Sequence, residues 1–173
     1  MRTVTLLIGL FFTSNIFAQE QVKAEKLENN NGYFTIKESG KPFTGEIVYY
    51  FENGNIDAIY QCTKGKKQGK IQLFYDSGVK SGELFSNAKH ENFGTITSWN
   101  EDGSIAFEGY FKSNVLYKKG QKAPFTGSYS TFYKNGQLSF KGNFKDGKWD
   151  GAPELYLRDG TLKTSFGQET AEK

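Results

Sequence analysis

The chain has 173 residues, the length of one ordinary domain or one repeat array. Its 22 Lys and Arg nearly balance 19 Asp and Glu, and the basic runs Lys64-Gly65-Lys66-Lys67 and Lys118-Lys119 sit at turn signals, which excludes a nucleic-acid footprint. The 16 Phe, 10 Tyr and 20 Gly beside a single Met suit pleated strands and tight turns, so composition points to an all-β chain.

In chain order, Met1 and Arg2 precede an uncharged apolar run from Val4 to Phe12, and charge resumes only at Glu20. This is the pattern of a secretory signal peptide over residues 1–18, cleaved after Ala18. It implies export to the periplasm or the medium. The run is shorter than the roughly 20 apolar residues of a spanning helix, so no transmembrane segment is expected in the mature chain. No cysteine stands beside the cut, which argues against a lipid anchor. Residues 19–31 read as a polar flank, disordered or at most a short helix from Glu20 to Asn29.

Residues 32–167 carry the main signal. Two-residue turn elements stand at Asn53-Gly54, Ser77-Gly78, Asp102-Gly103, Asn135-Gly136 and Asp159-Gly160, with the glycines 24, 25, 33 and 24 residues apart. Asn-Gly and Asp-Gly predict hairpins with type I′ turns. Nine residues ahead of each turn glycine lies another glycine: Gly45, Gly69, Gly94, Gly127 and Gly151. Five residues after each of those stands an aromatic: Tyr50, Phe74, Trp99, Phe132 and Tyr156. Return strands are predicted at Ile56 to Cys62, Ile105 to Phe111 and Leu138 to Phe144, where apolar residues alternate. The second repeat is out of step, and a bulge or looser loop is expected from Ser86 to Asn92.

A shift of 82 residues superimposes Pro42-Phe43-Thr44-Gly45 on Pro124-Phe125-Thr126-Gly127 and carries Asn53-Gly54, Gly65-Lys66, Gly69 and Gly78 onto their counterparts without a gap. The array is therefore a duplication, with halves at about 33–84 and 115–166 and lead-in strands at Tyr33 to Lys37 and Val115 to Lys119. The unit from Gly127 to Gly151 resembles the variant MORN repeat of bacterial proteins, and the likeness extends over roughly Tyr33 to Gly167. The resemblance implies an elongated, twisted antiparallel meander of about five stacked hairpins in a single array. Because YwqK-family antitoxins carry such repeats, it also implies an antitoxin that sequesters a toxin. The tail at 168–173 is polar and expected to be disordered.

Residues for chemistry are sparse. His90 is the only histidine and Cys62 the only cysteine, so neither has the partners that a triad or a zinc site requires. Cys62 falls in a strand pattern and reads as a small buried hydrophobe. No catalytic residue, metal ligand or cofactor is expected, and the chain is read as a non-enzyme. The aromatic series Tyr50, Phe74, Trp99, Phe132 and Tyr156 would form a ladder on one sheet face, either as a surface for a partner protein or as packed core. Trp99 and Trp149 are the candidates for stacking on a glycan, the second ligand class considered.

Overall fold

The computed structural model describes residues 20–163, so the signal peptide expected at 1–18 and the tail at 168–173 lie outside the described residues. The chain is almost entirely β. It begins with β1 (Gln21–Lys23), a 3-10 turn (Ala24–Lys26), β2 (Leu27–Asn30) and β3 (Tyr33–Ile36). A meander follows through β4 (Gly45–Tyr50), β5 (Ile56–Thr63), β6 (Lys66–Phe74), β7 (Lys80–Ser86), β8 (Asn92–Trp99), β9 (Ile105–Lys112) and β10 (Val115–Lys118). The last five strands are β11 (Gly127–Phe132), β12 (Leu138–Lys145), β13 (Lys148–Trp149), β14 (Glu154–Tyr156) and β15 (Leu162–Lys163). Strands β1 to β10 form one ten-stranded sheet and β11 to β15 a second, five-stranded one. All pairings are antiparallel except β1 with β4, which is parallel.

The five turn signals do close hairpins, but not with the turn type expected. At the first, the Gly54 N–H donates to the Phe51 carbonyl (2.9 Å) and the Phe51 N–H donates to the Asn55 carbonyl (2.8 Å). Gly54 has φ +85° and Asn53 is not in the left-handed region. This is a type I turn closed by a glycine bulge, and the same bond pair recurs at Tyr75, Asn100, Tyr133 and Leu157. The Asn or Asp before the glycine serves another purpose: its side-chain oxygen accepts the N–H two residues on, from Asn55, Ser104, Gln137 and Thr161. True type I′ geometry, with two successive positive φ values, stands at the opposite hairpin ends: Asn31-Gly32, Lys64-Gly65, Ser113-Asn114 and Asp146-Gly147.

The segment from Ser86 to Asn92 is also tighter than expected. Asn87 accepts from the His90 N–H and donates its own to the Glu91 carbonyl, both at 2.9 Å, so it repeats the bulged turn with His90 (φ +62°) in the glycine's place. A further irregularity lies ahead of that segment, where β7 pairs with β8 between Glu83 and Phe85.

Just past four of the five turns the return strand carries one residue more than its partner. Tyr50 pairs with Ile56 and Tyr49 with Ala58, leaving Asp57 over. By the same count Ser81, Ala106 and Ser139 are the extra residues in β7, β9 and β12. Each bulge adds right-handed twist. The accumulated coiling brings the second sheet back to face the first.

The two halves fold alike to the level of single bonds. Thr44 Oγ1 accepts from the Lys64 N–H and Thr126 Oγ1 from the Asp146 N–H, both at 2.9 Å. Phe34 N–H donates to Gly65 and Leu116 N–H to Gly147. The cores match as well: Phe34, Phe43, Ile47 and Cys62 pack together in the first half, and their counterparts Leu116, Phe125, Tyr129 and Phe144 in the second. Cys62 is fully buried, with its Sγ 3.5 Å from the Phe43 carbonyl, and burial pushes the thiol up.

The flank read as disordered or helical is instead β1, the 3-10 turn and β2. Leu27 is buried in the first core, with Val22 and Ala24 against it. Its polarity misleads because β2 buries only this one residue while Glu28, Asn29 and Asn30 face water. β2 pairs with β3 as the end of β9 pairs with β10, in the same register 82 residues on (Leu27 with Ile36, Gly109 with Lys118). The second core also recruits Ile96, Phe107 and Phe111 from the first sheet, which joins the sheets. Phe107 stacks on Tyr129 (4.5 Å between centroids) and packs on Phe125 (5.2 Å).

Phe107→Ala should therefore lower stability by about 3 to 5 kcal/mol. Chemical denaturation followed by tyrosine fluorescence and far-UV circular dichroism measures this. A loss under about 1 kcal/mol would show that the sheets do not depend on this contact.

Candidate functional site: the cleft between the sheets

Facing sheets that diverge from a shared core leave a hollow. Here it is a half-open cleft of about 600 Å³. Its floor is apolar, from Leu73 on β6, Leu84 on β7, Ile96 on β8, Tyr129 on β11, Phe140 on β12 and Leu155 on β14. Ser98, Thr131 and Ser139 add hydroxyls, and Phe51, Phe74, Tyr75, Tyr133 and Tyr156 contribute aromatic wall at the end where the bulged turns lie. Desolvation pushes the Tyr129 hydroxyl up to about 12, partly offset by a hydrogen bond with Ser98.

Tyr75 fixes this end. It is buried, its hydroxyl donates to the Trp99 carbonyl at 2.8 Å, and the same oxygen lies 3.5 Å from Ser139 Oγ, which in turn meets Thr131 Oγ1 at 2.7 Å. One repeat pair later the Tyr133 hydroxyl donates to the Tyr156 carbonyl, also at 2.8 Å. These tyrosines follow the aromatic position by one residue, so each stitches its turn to the next unit's backbone. The Tyr75 and Tyr133 rings meet across the sheets at 5.7 Å.

Above them an ion cluster closes the gap. Arg158 Nε donates to both carboxylate oxygens of Asp76 at 2.9 Å, and Nη1 donates to Glu101 Oε2 at 2.8 Å. Nη2 bonds both acids, and the guanidinium lies 4.7 Å from the centre of the Tyr133 ring. Glu101 is 5 % exposed and also accepts the Lys134 N–H at 2.8 Å. The hydrogen bonds from Arg158, aided by that N–H, hold the Glu101 carboxyl down at about 2 despite its desolvation. Asp76 is lowered for the same first reason, and Arg158 is raised by both acids.

Asp57 stands apart. It lines the cleft, burial raises its carboxyl, and Lys163 on β15 partly opposes that rise.

Of the residues singled out from sequence, Phe74 and Tyr156 line the cleft, Trp99 is half-buried with Lys80 5.7 Å from its ring, and Tyr50 and Phe132 are 45 % and 42 % exposed. A connected cluster of ring contacts falls elsewhere, on Phe107, Phe125, Tyr129, Phe140, Phe144 and Trp149. The turn residues Asn53, Gly54, Asp102, Gly103, Asn135, Gly136, Asp159 and Gly160 all lie in the bulged turns. His90 is exposed. Sequence reasoning missed Asp57, Tyr75, Asp76, Glu101, Tyr133 and Arg158. One signal was present: Arg158 and Arg2 are the only arginines among the 22 basic residues.

Among the described residues no group of three or more His, Cys, Asp and Glu could hold a metal ion, and no helix is long and apolar enough to cross a membrane. Residues 125–146, which span the hairpin of β11 and β12, match the family model of the MORN repeat variant. No curated protein and no solved structure matches the chain.

The cluster sets a pH dependence. Glu101 is held near 2 in the folded chain against 4.5 when unperturbed. Its folded value is the lower one, so its stabilisation is complete above pH 4.5 and is lost as pH falls toward 2. Glu101→Gln should cost up to about 3 kcal/mol at pH 7. The gap to wild type should close between pH 4.5 and 2, which denaturant titrations at stepped pH would measure. A gap of equal size at both ends would mean that the carboxylate charge contributes nothing.

Proposed function

We propose that this carrier of a MORN repeat variant is an exported, non-catalytic scaffold that binds a partner protein through the aromatic-lined inner surface of its coiled sheet. The observation that carries the reading is the cleft itself: an apolar floor, a few hydroxyls and a wall of Tyr and Phe, on a framework stitched from turn to turn. Such a surface offers a partner large apolar area with little side-chain ordering to lose, since aromatic rings have few rotatable bonds. Repeat arrays commonly present concave surfaces of this kind. The apolar N-terminal run supports export. An antitoxin role would use the same cleft, with a toxin as the partner.

A glycan reading has its own support at the other end of the array. Trp149 is 46 % exposed and borders a second hollow with Glu91, Asn92, Asn114 and Lys148, an indole beside amides and charges that suit sugar hydroxyls.

Two measurements test the leading reading. N-terminal sequencing of the chain recovered from the periplasm or medium should begin at Gln19; an unprocessed cytosolic chain would overturn export. A tagged chain should recover the same partner repeatedly from that compartment, and Ser81→Phe, which fills the cleft from β7, should lose it while keeping its melting temperature. A partner retained by that variant would place binding elsewhere, and loss on Trp149→Ala together with glycan binding would favour the second reading.

A further inference from the structure

Asp57 breaks a rule that the rest of the array keeps. The extra residue of each bulged return strand is small and uncharged in the other three repeats: Ser81, Ala106 and Ser139. Ser139, its counterpart in the second half, is satisfied by Thr131 and Tyr75. Among the described residues no hydrogen bond or salt bridge engages Asp57. The other acids along the cleft are engaged: Asp76 by Arg158, Glu83 by Lys80, and Asp159 by its own turn. A carboxylate partly withdrawn from water without a hydrogen bond or salt bridge costs stability, and such a cost is tolerated where the group has work to do.

We infer that the cleft receives a cationic side chain, a Lys or Arg borne on an apolar segment of the partner protein, with Asp57 as its counter-ion. This rests on the protein-binding reading above and names the chemistry of what is bound. The stem of such a side chain is aliphatic, and Leu73, Leu84 and Phe140 offer it apolar floor in the cleft that the acid lines. Phe51 and Phe74 present rings at the same end, which favour a cation over an anion. Among the described residues, Lys163 is the cation that acts on Asp57 from a distance. It is exposed and forms no salt bridge with Asp57 among the described residues, so water and salt weaken its hold.

Calorimetric titration of the full chain with three synthetic heptapeptides tests this. All alternate leucine with a second residue, which is lysine, serine or glutamate. The lysine peptide should bind at least tenfold more tightly than the serine peptide, and the glutamate peptide more weakly than either. Asp57→Asn should abolish the lysine preference, leave the serine peptide unchanged and keep or raise the melting temperature. The surface control Asp150→Asn should retain the preference, and Lys163→Ala should enlarge it. Equal affinity for the lysine and serine peptides, or a preference that survives Asp57→Asn, would overturn the inference and leave the binding reading standing. If no peptide binds the wild-type chain, the cleft is not a protein-binding surface and both readings fall.

Discussion

The architecture depends on one recurrent constraint: past each of four turns the return strand holds a residue that its partner strand cannot pair. A regular hairpin meander of this length would be a gently twisted ribbon with two open faces. Each of these bulges increases the right-handed twist of its strand pair, so the added twists have one sense and sum. The sheet coils until Phe107 of the first sheet reaches Phe125 and Tyr129 of the second. Core, cleft and turn-end ion cluster all follow from that meeting. The cleft opens where the sheets part, and the bulge residues are drawn into its neighbourhood.

Duplication supplies the second level of order. Four positions, at Phe34, Phe43, Ile47 and Cys62, recur 82 residues later as Leu116, Phe125, Tyr129 and Phe144, with the surrounding backbone bonds preserved. The later set is the bulkier. Its larger side chains close on the first sheet, whereas the earlier set packs with Leu27, Val22 and Ala24 of the N-terminal segment. A buried thiol in one half and a phenyl ring in the other thus hold the same place in the fold under different packing demands.

Much of this was legible in the sequence, and the limits have physical causes. Turn positions, return strands and the internal shift were readable because glycine and Asn-Gly punctuation is local. Turn type was not, since Asn53-Gly54 suits either a two-residue loop or a bulged one, and pairing register decides between them. The surplus residues Asp57, Ser81, Ala106 and Ser139 have no local signature; each is surplus only against the strand opposite. The N-terminal strands were hidden because one leucine among polar residues is too little periodicity to read. In the site, the aromatic position five residues after each glycine was a good marker of the turn, but the next residue along, Tyr75 or Tyr133, makes the inter-repeat bond. Arg158 stood out only by being an arginine among lysines.

Asp76 and Arg158 are themselves counterparts: each is the second residue of its bulged turn, 82 positions apart, and they bind each other. A perfectly symmetric duplicate would set two acids or two bases against one another at this point. Opposite charges at the matched position instead make the halves complementary and unlike. During folding, or between neighbouring molecules, a first half that docked on another first half would bring Asp76 against Asp76, and a second on a second Arg158 against Arg158. Like-with-like docking of tandem copies would therefore meet charge repulsion at the point where unlike halves gain an ion pair.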